Sequence, residues 1–212
     1  MNRLLFFILL LACKSGTQPT DASMEAVQPH LNRDSLATAM EVEMQKACID
    51  PWYPRIVDSV YGGFLSDFNY KWELDGRQNK MIVTQARHVW TASTLAESYP
   101  DNKLYPQIAE HGFQFLRDKM WDAKNGGFYQ LVDREGNPTG VDPKYGQVKT
   151  AYGNSFGMYG LAAYYRLSKK EEVLDLAKKT FQWLEEHSHD PVKGGYFQFL
   201  LEDGTALKEG HT

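Results

Sequence analysis

The 212-residue sequence has only two cysteines, no long basic run, and no apolar stretch long enough to cross a bilayer as a helix. Each absence narrows the field. A formal charge of −4 without a basic cluster argues against nucleic acid as the main partner. No glycine-rich nucleotide loop, metal-ligand cluster or Ser-His-Asp spacing is written in the chain, so neither cofactor nor metal is expected. Long alternating strand patterns are missing too. Extended structure is therefore expected only as short hairpins inside loops, such as a turn at Glu135-Gly136.

What is there begins with a leader. "MNRLLFFILLLAC" carries one Arg and then an apolar run from Leu4 to Ala12. It resembles a bacterial lipoprotein signal over residues 1 to 13, with the box Leu10-Leu11-Ala12-Cys13 and Cys13 as the lipidated residue. The resemblance implies an exported protein, periplasmic or anchored to the outer membrane, touching the membrane only through that lipid. Residues 14 to 33 are polar with Pro19 and Pro29 and read as a flexible tether. Cys48 is then left without a partner for an internal disulfide, so packing must stabilise the folded part, residues 34 to 212.

The folded part repeats itself. "DSVYGGF" at Asp58, "DAKNGGF" at Asp122 and "DPVKGGY" at Asp190 share the pattern Asp-x-x-x-Gly-Gly-aromatic. Gly62, Gly126 and Gly194 stand 64 and 68 residues apart, which marks a repeat of paired helices with a shared core. Helical periodicity fills the intervals. Leu36, Met40, Met44 and Ala47 share a face of a helix from Asp34 to Cys48. Ala86, Trp90, Ser93 and Glu97 do so between Val83 and Tyr99. Asp101 is placed to N-cap a third helix, with Leu104, Ile108, Phe115 and Leu116 inward. A fourth spans Thr150 to Leu167, its buried stripe being Phe156, Tyr159, Gly160, Ala163, Tyr164 and Leu167. Ser168 and Glu171 read as a capping box for a fifth, with Leu174, Ala177, Phe181 and Leu184 inward. A sixth helix is expected after Gly204, where only eight residues remain, so the third repeat is expected to be incomplete and the chain to stop in mid-fold.

The elements "QARHVWTAS" (85 to 93), "GGFYQLVDREG" and "YGNSFGMYGLAAYY" (152 to 165) resemble the N-acylglucosamine 2-epimerase family, which includes cellobiose and mannobiose 2-epimerases and aldose–ketose isomerases. The resemblance runs from about Asp34 to the last residue. It implies an all-α fold of (α/α)6-barrel type, with about three of six helical hairpins present, and a sugar as small-molecule substrate. The implied chemistry removes the C2 proton of an open-chain mono- or disaccharide to give an enediolate. Returning the proton to the opposite face epimerises C2, and delivering it to C1 gives a ketose. A base near neutral pH and a fixed positive charge beside O1 and O2 are required.

Carried onto this sequence, Arg87 matches the substrate-binding arginine and is expected to stabilise the enediolate. Tyr152 matches an active-site tyrosine. Asn154 is placed as a sugar-hydroxyl partner or a helix N-cap, and Trp90 as a core residue or a platform. The histidines depart from the family. His88 is expected to face away from Arg87's side of the helix. His111, His187 and His189 are expected to be solvated on outer helices, while His30 and His211 lie in the tether and the last residues. The family's acid/base histidines belong to the second half of its barrel, and an Asn-x-x-x-His element to a helix beyond Thr212. The fragment alone is therefore expected to be inactive. A glycoside hydrolase using Asp67, Asp133 or Asp203, or a non-catalytic surface glycan binder, are the competing readings.

Overall fold

A computed structural model describes residues 32 to 140 and 142 to 207. The expected leader with Cys13, most of the tether, His30 and His211 lie outside those residues. Two units are distinguished, residues 1 to 42 and 43 to 212. The described part of the first, residues 32 to 42, lies almost wholly in helix α1 (Arg33–Glu43), none of whose residues is buried. The stripe expected from Leu36 and Met40 is thus exposed.

The second unit alternates helices with the repeated loops. A π-helical segment (Met44–Ile49) leads into the first loop. Strand β1 (Lys80–Met81) then enters α2 (Ile82–Ser98). Helix α3 (Leu104–Phe115), extended by a π-helical turn (Leu116–Met120), leads through β2 (Leu131–Val132) and β3 (Val148–Thr150) into α4 (Ala151–Ser168). Helix α5 (Glu171–His187) leads into the third loop, which holds β4 (Phe199–Leu201). Antiparallel pairs join β1 to β2 and β3 to β4, with Lys80 opposite Val132 and Lys149 opposite Leu200. Each strand that opens an inner helix therefore pairs with the loop of the following repeat. No helix of the described residues is long and apolar enough to cross a membrane.

The inner helices α2 and α4 pack on each other, α2 also against α3 and α4 also against α5. Small residues set the α2–α4 distance. A methyl on Gly160 would sit 2.7 Å from the Ala86 carbonyl oxygen, which belongs to backbone and cannot turn aside. Gly160→Ala is therefore expected to destabilise the fold by about 1–3 kcal/mol, read as a lowered urea midpoint. An unchanged midpoint would show that the helices can part at no cost.

Several expectations shift by one residue or one partner. The buried residues of α5 are Val173, Leu176, Thr180, Trp183 and Leu184, so the apolar stripe through Leu174, Ala177 and Phe181 lies beside the core. The capping box is not formed, because Lys170 occupies the cap position and the Ser168 hydroxyl accepts the Lys170 N–H at 3.3 Å. Asp101 does not cap α3. The Asn102 side chain accepts the Leu104 N–H at 3.0 Å instead. Along α4, Gly157 and Leu161 are buried while Tyr159 is exposed, because that face opens onto a cavity.

The repeated loops are built alike, as the recurrence of their sequence predicts. Asp58 Oδ1 accepts the N–H groups of Val60 and Tyr61, and Asp122 Oδ1 those of Lys124 and Asn125. Asp190 Oδ1 does the same for Val192 and Lys193. Sequence reading missed the partner of the first two. The Lys80 ammonium is fully buried and donates to Asp58 Oδ2 at 3.0 Å, to the Gly62 carbonyl at 2.6 Å and to the Arg134 carbonyl at 2.7 Å. Lys149 reaches Asp122 Oδ2 at 2.7 Å, the Gly126 carbonyl at 2.5 Å and the Glu202 carbonyl at 2.7 Å. A buried charge is tolerated because each of its three protons finds an acceptor.

Candidate active site

The two inner helices begin in register. Lys80 and Lys149 each stand five residues before an amide side chain, Gln85 or Asn154, in the helix's first turn. Gln85 accepts the Phe64 N–H and donates to the Phe64 carbonyl, both at 2.8 Å. Asn154 accepts the Phe128 N–H at 2.7 Å and donates to the Thr150 carbonyl at 2.9 Å. Each amide fastens a Gly-Gly-aromatic turn to the helix behind it. Asn154 is fully buried and its amide is engaged on both sides, so it is not on the cleft wall where a sugar hydroxyl could reach it. Nor is it the N-cap, which is Thr150, whose hydroxyl accepts the Gly153 N–H at 2.9 Å.

The next positions in register differ between the helices and point the other way. Arg87 corresponds to Phe156, and Trp90 to Tyr159. Together with Thr91 and Ser155 they line a cavity of about 430 Å³. Trp90 and Tyr159 stack with centroids 5.2 Å apart and planes 17° from parallel. The Arg87 guanidinium lies 5.7 Å from the centre of the Phe156 ring. Among the described residues Arg87 makes no ion pair, and its side chain is exposed. A free, planar cation beside two stacked aromatic faces can grip oxygens on one edge of a polar ring while its carbons lie against the aromatics.

Tyr152 is half-exposed and its ring meets Phe156 edge-on at 4.9 Å. It does not line the Arg87 cavity but the adjoining groove between α4 and α5. Trp90 is half-buried and stands in the cavity wall. Phe156 and Tyr159 are the wall residues that periodicity assigned to the core. Their signal was the comparison of α4 with α2, where the matching positions are Arg87 and Trp90.

None of the described histidines lines this cavity. His88 points into the protein, with Nδ1 2.9 Å from the Tyr53 hydroxyl and its ring against Trp52 and Phe64. Burial, with the neighbouring Arg87 charge, pushes its pKa down to about 4, so it is neutral at pH 7. His111 is not solvated as expected. Its Nε2 lies 2.9 Å from the Gly63 carbonyl and its ring packs on Phe64, so it braces the first loop. His187 is likewise half-buried, beneath Gly204 and against Trp183. His189 remains exposed. The carboxylates of Asp133 and Asp203 accept N–H groups of their own turns, from Glu135 and Asn137 and from Thr205. Among the described residues no group of three or more His, Cys, Asp or Glu could hold a metal ion.

Comparison with known proteins gives the family of the chain. The sequence model of the N-acylglucosamine 2-epimerase (GlcNAc 2-epimerase) family matches residues 62–210. A cellobiose 2-epimerase of Bacteroides fragilis is 30% identical over 174 residues, 82% of this chain and 43% of the relative. One from Ruminococcus albus is 30% identical over 166 residues, 76% of this chain and 40% of the relative. The solved cellobiose 2-epimerase of Spirochaeta thermophila superimposes with a TM-score of 0.74 at 33% identity, covering 87% of this chain and 45% of that one. The chain thus spans less than half the length of these relatives. Its helices follow the (α/α)6-barrel fold of these relatives.

Proposed function

The chain belongs to the N-acylglucosamine 2-epimerase family, and on that premise we propose that it supplies the oxygen-binding wall of a sugar 2-epimerase or aldose–ketose isomerase. One observation carries the reading: Arg87, without an ion pair among the described residues, stands in an aromatic-lined cavity between the two inner helices. Proton abstraction next to a carbonyl builds negative charge on O1 and O2 of the sugar. A guanidinium beside them stabilises that charge more than it stabilises the neutral substrate, which is the condition for catalysis. Trp90 and Tyr159 offer flat apolar surface to the sugar carbons. Tyr152, one turn from Phe156, is placed to meet a second ring of a disaccharide at the cavity's edge.

The base is a different matter. With His88 turned inward and no histidine on the wall among the described residues, this chain binds and polarises the substrate and leaves the C2 proton to a base elsewhere. Two measurements test this. Titration with cellobiose, mannose and glucose, followed by nuclear magnetic resonance, is expected to show saturable binding centred on α2 and α4. Incubation in D2O is expected to leave the C2 hydrogen in place. Absence of binding by all three sugars would remove the reading, and C2 exchange by the chain alone would show that a base stands on this wall.

A further inference from the structure

Beside Arg87 the cavity carries an aliphatic hydroxyl from each inner helix, and the protein engages the proton of each elsewhere. The Ser155 hydroxyl donates to the Ala151 carbonyl at 2.8 Å, which leaves only its lone pairs for the cavity. Thr91 stands four residues after Arg87 on α2, on the same face and one turn along. Its side chain hydrogen-bonds from behind to the Tyr53 phenol. Tyr53 is only 8% exposed and comes from the segment between the π-helical Met44–Ile49 and the first loop.

The Tyr53 phenol has one proton and a second side-chain partner, His88 Nδ1, 2.9 Å away. Burial pushes the phenol's pKa up, against the pull of the Thr91 hydrogen bond, so the proton stays in place at pH 7. His88 is neutral there, with one ring nitrogen an acceptor and the other a donor. Of the two groups the imidazole is the stronger base and the phenol the stronger acid. The phenol therefore donates to Nδ1, and the ring proton is assigned to Nε2. The phenol oxygen then accepts the Thr91 proton, and Thr91 meets the cavity with lone pairs alone. Arg87 supplies donors and no acceptor. Thr91 and Ser155 supply the acceptors that Arg87 cannot.

We propose that Thr91 is a specificity-determining residue of the sugar site: its oxygen, oriented by Tyr53 and His88, accepts a hydrogen bond from a substrate hydroxyl one helical turn beyond the oxygens that Arg87 holds. This role presupposes the sugar-binding wall proposed above. A turn rises about 5.4 Å, so with O1 and O2 at Arg87 the hydroxyl that reaches Thr91 is that of C3 or C4. Tyr53 and His88 touch no substrate. They are positioning residues, which fix the direction in which the Thr91 proton points.

Fluorine tests the direction, because it accepts a hydrogen bond and cannot donate one. The full chain is titrated, with nuclear magnetic resonance as the readout, against glucose, mannose and derivatives of both whose C3 or C4 hydroxyl is replaced by hydrogen or by fluorine. At one of the two positions the hydrogen derivative is expected to bind about fivefold more weakly than the parent sugar, the scale of one hydrogen bond, and the fluorine derivative no better. Thr91→Val is expected to weaken the parent sugar by the same factor and to leave that derivative unchanged, while Thr91→Ser binds as wild type does. Tyr53→Phe is expected to cost as much as Thr91→Val, and the two together no more than either alone. Long-range nitrogen–proton spectra are expected to show His88 protonated on Nε2. A fluorine derivative that binds like the parent, or a proton on His88 Nδ1, would reverse the direction and overturn the proposal. So would wild-type binding that ignores both positions, Thr91→Val binding every sugar as wild type does, or a Tyr53→Phe loss that adds to that of Thr91→Val. If wild type binds neither parent sugar, the sugar site itself fails and this role with it.

Discussion

Asp122→Ala is expected to lower the unfolding free energy by about 3–5 kcal/mol, because it strands the buried Lys149 ammonium without its counter-charge. That is a large part of the total stability of an ordinary domain, about 5–15 kcal/mol. The measurement is a urea titration followed by circular dichroism. Lys149→Met combined with Asp122→Leu is expected to recover part of the loss, since an apolar pair leaves no charge unpaired. It does not recover all of it, because the Gly126 and Glu202 carbonyls lose their donor. If the single and double variants unfold at the same urea concentration, the loss comes from the missing turn acceptor and not from the stranded charge.

The same carboxylate sets an acid limit. Burial pushes the Asp122 pKa up, but Lys149 and the Asn125 amides outweigh it, and the net value falls from 3.8 to about 2. The folded state therefore holds the proton less well than the unfolded chain. The stability this group contributes is complete above its ordinary pKa and is lost as pH falls through the interval from 3.8 to about 2. Asp58, held by Arg134 and Lys80, is shifted in the same direction. Wild type is expected to lose stability in this window, and Asp122→Ala to show a shallower loss.

The second large effect concerns Arg87. A sugar hydroxamate, whose planar anion imitates an enediolate, is expected to bind more tightly than the neutral sugar. Arg87→Met should cut its affinity by about 10²–10³-fold, the scale seen when one charge-stabilising donor is lost. The neutral sugar should lose far less, because it lacks the charge that the guanidinium answers. Arg87→Lys should restore little, since an ammonium cannot present two parallel N–H groups to two oxygens. Isothermal titration of both ligands against the three proteins decides the matter. Equal losses for hydroxamate and sugar would make Arg87 a general binding group with no preference for the reacting state.

Much of this architecture is legible in the sequence, and the exceptions have physical causes. The three loops could be read because their glycines adopt positive φ in every copy, Gly126 and Gly127 both at 71°, where other residues are strained. Arg87 stands out through its resemblance to the family's substrate-binding arginine, in a stretch of small and apolar residues. Phe156 and Tyr159 were assigned to the core because periodicity finds an apolar face without saying whether protein or an open cavity lies against it. Asn154 was assigned to the site for the mirror reason: a polar side chain in a first turn looks available until the loop it fastens is in place. The buried lysines were passed over because charge is read as surface. Their five-residue spacing ahead of Gln85 and Asn154 was the overlooked sign. His111 and His187 were read as solvated because nothing local tells that a loop distant in sequence comes to rest on them.

The lysines also bear on how the array comes together. Each one binds its own loop and, with its remaining proton, a carbonyl of the following loop: Arg134 for Lys80, Glu202 for Lys149. A hairpin formed alone would bury an ammonium with one acceptor short. The first hairpin therefore reaches its full stability only after the second has formed, and the second only after the third. This is nearest-neighbour coupling in a linear array. Its effect is that fraying at the third loop takes one acceptor from Lys149 and loosens the second loop, whose amide protons should then exchange faster than those of the first.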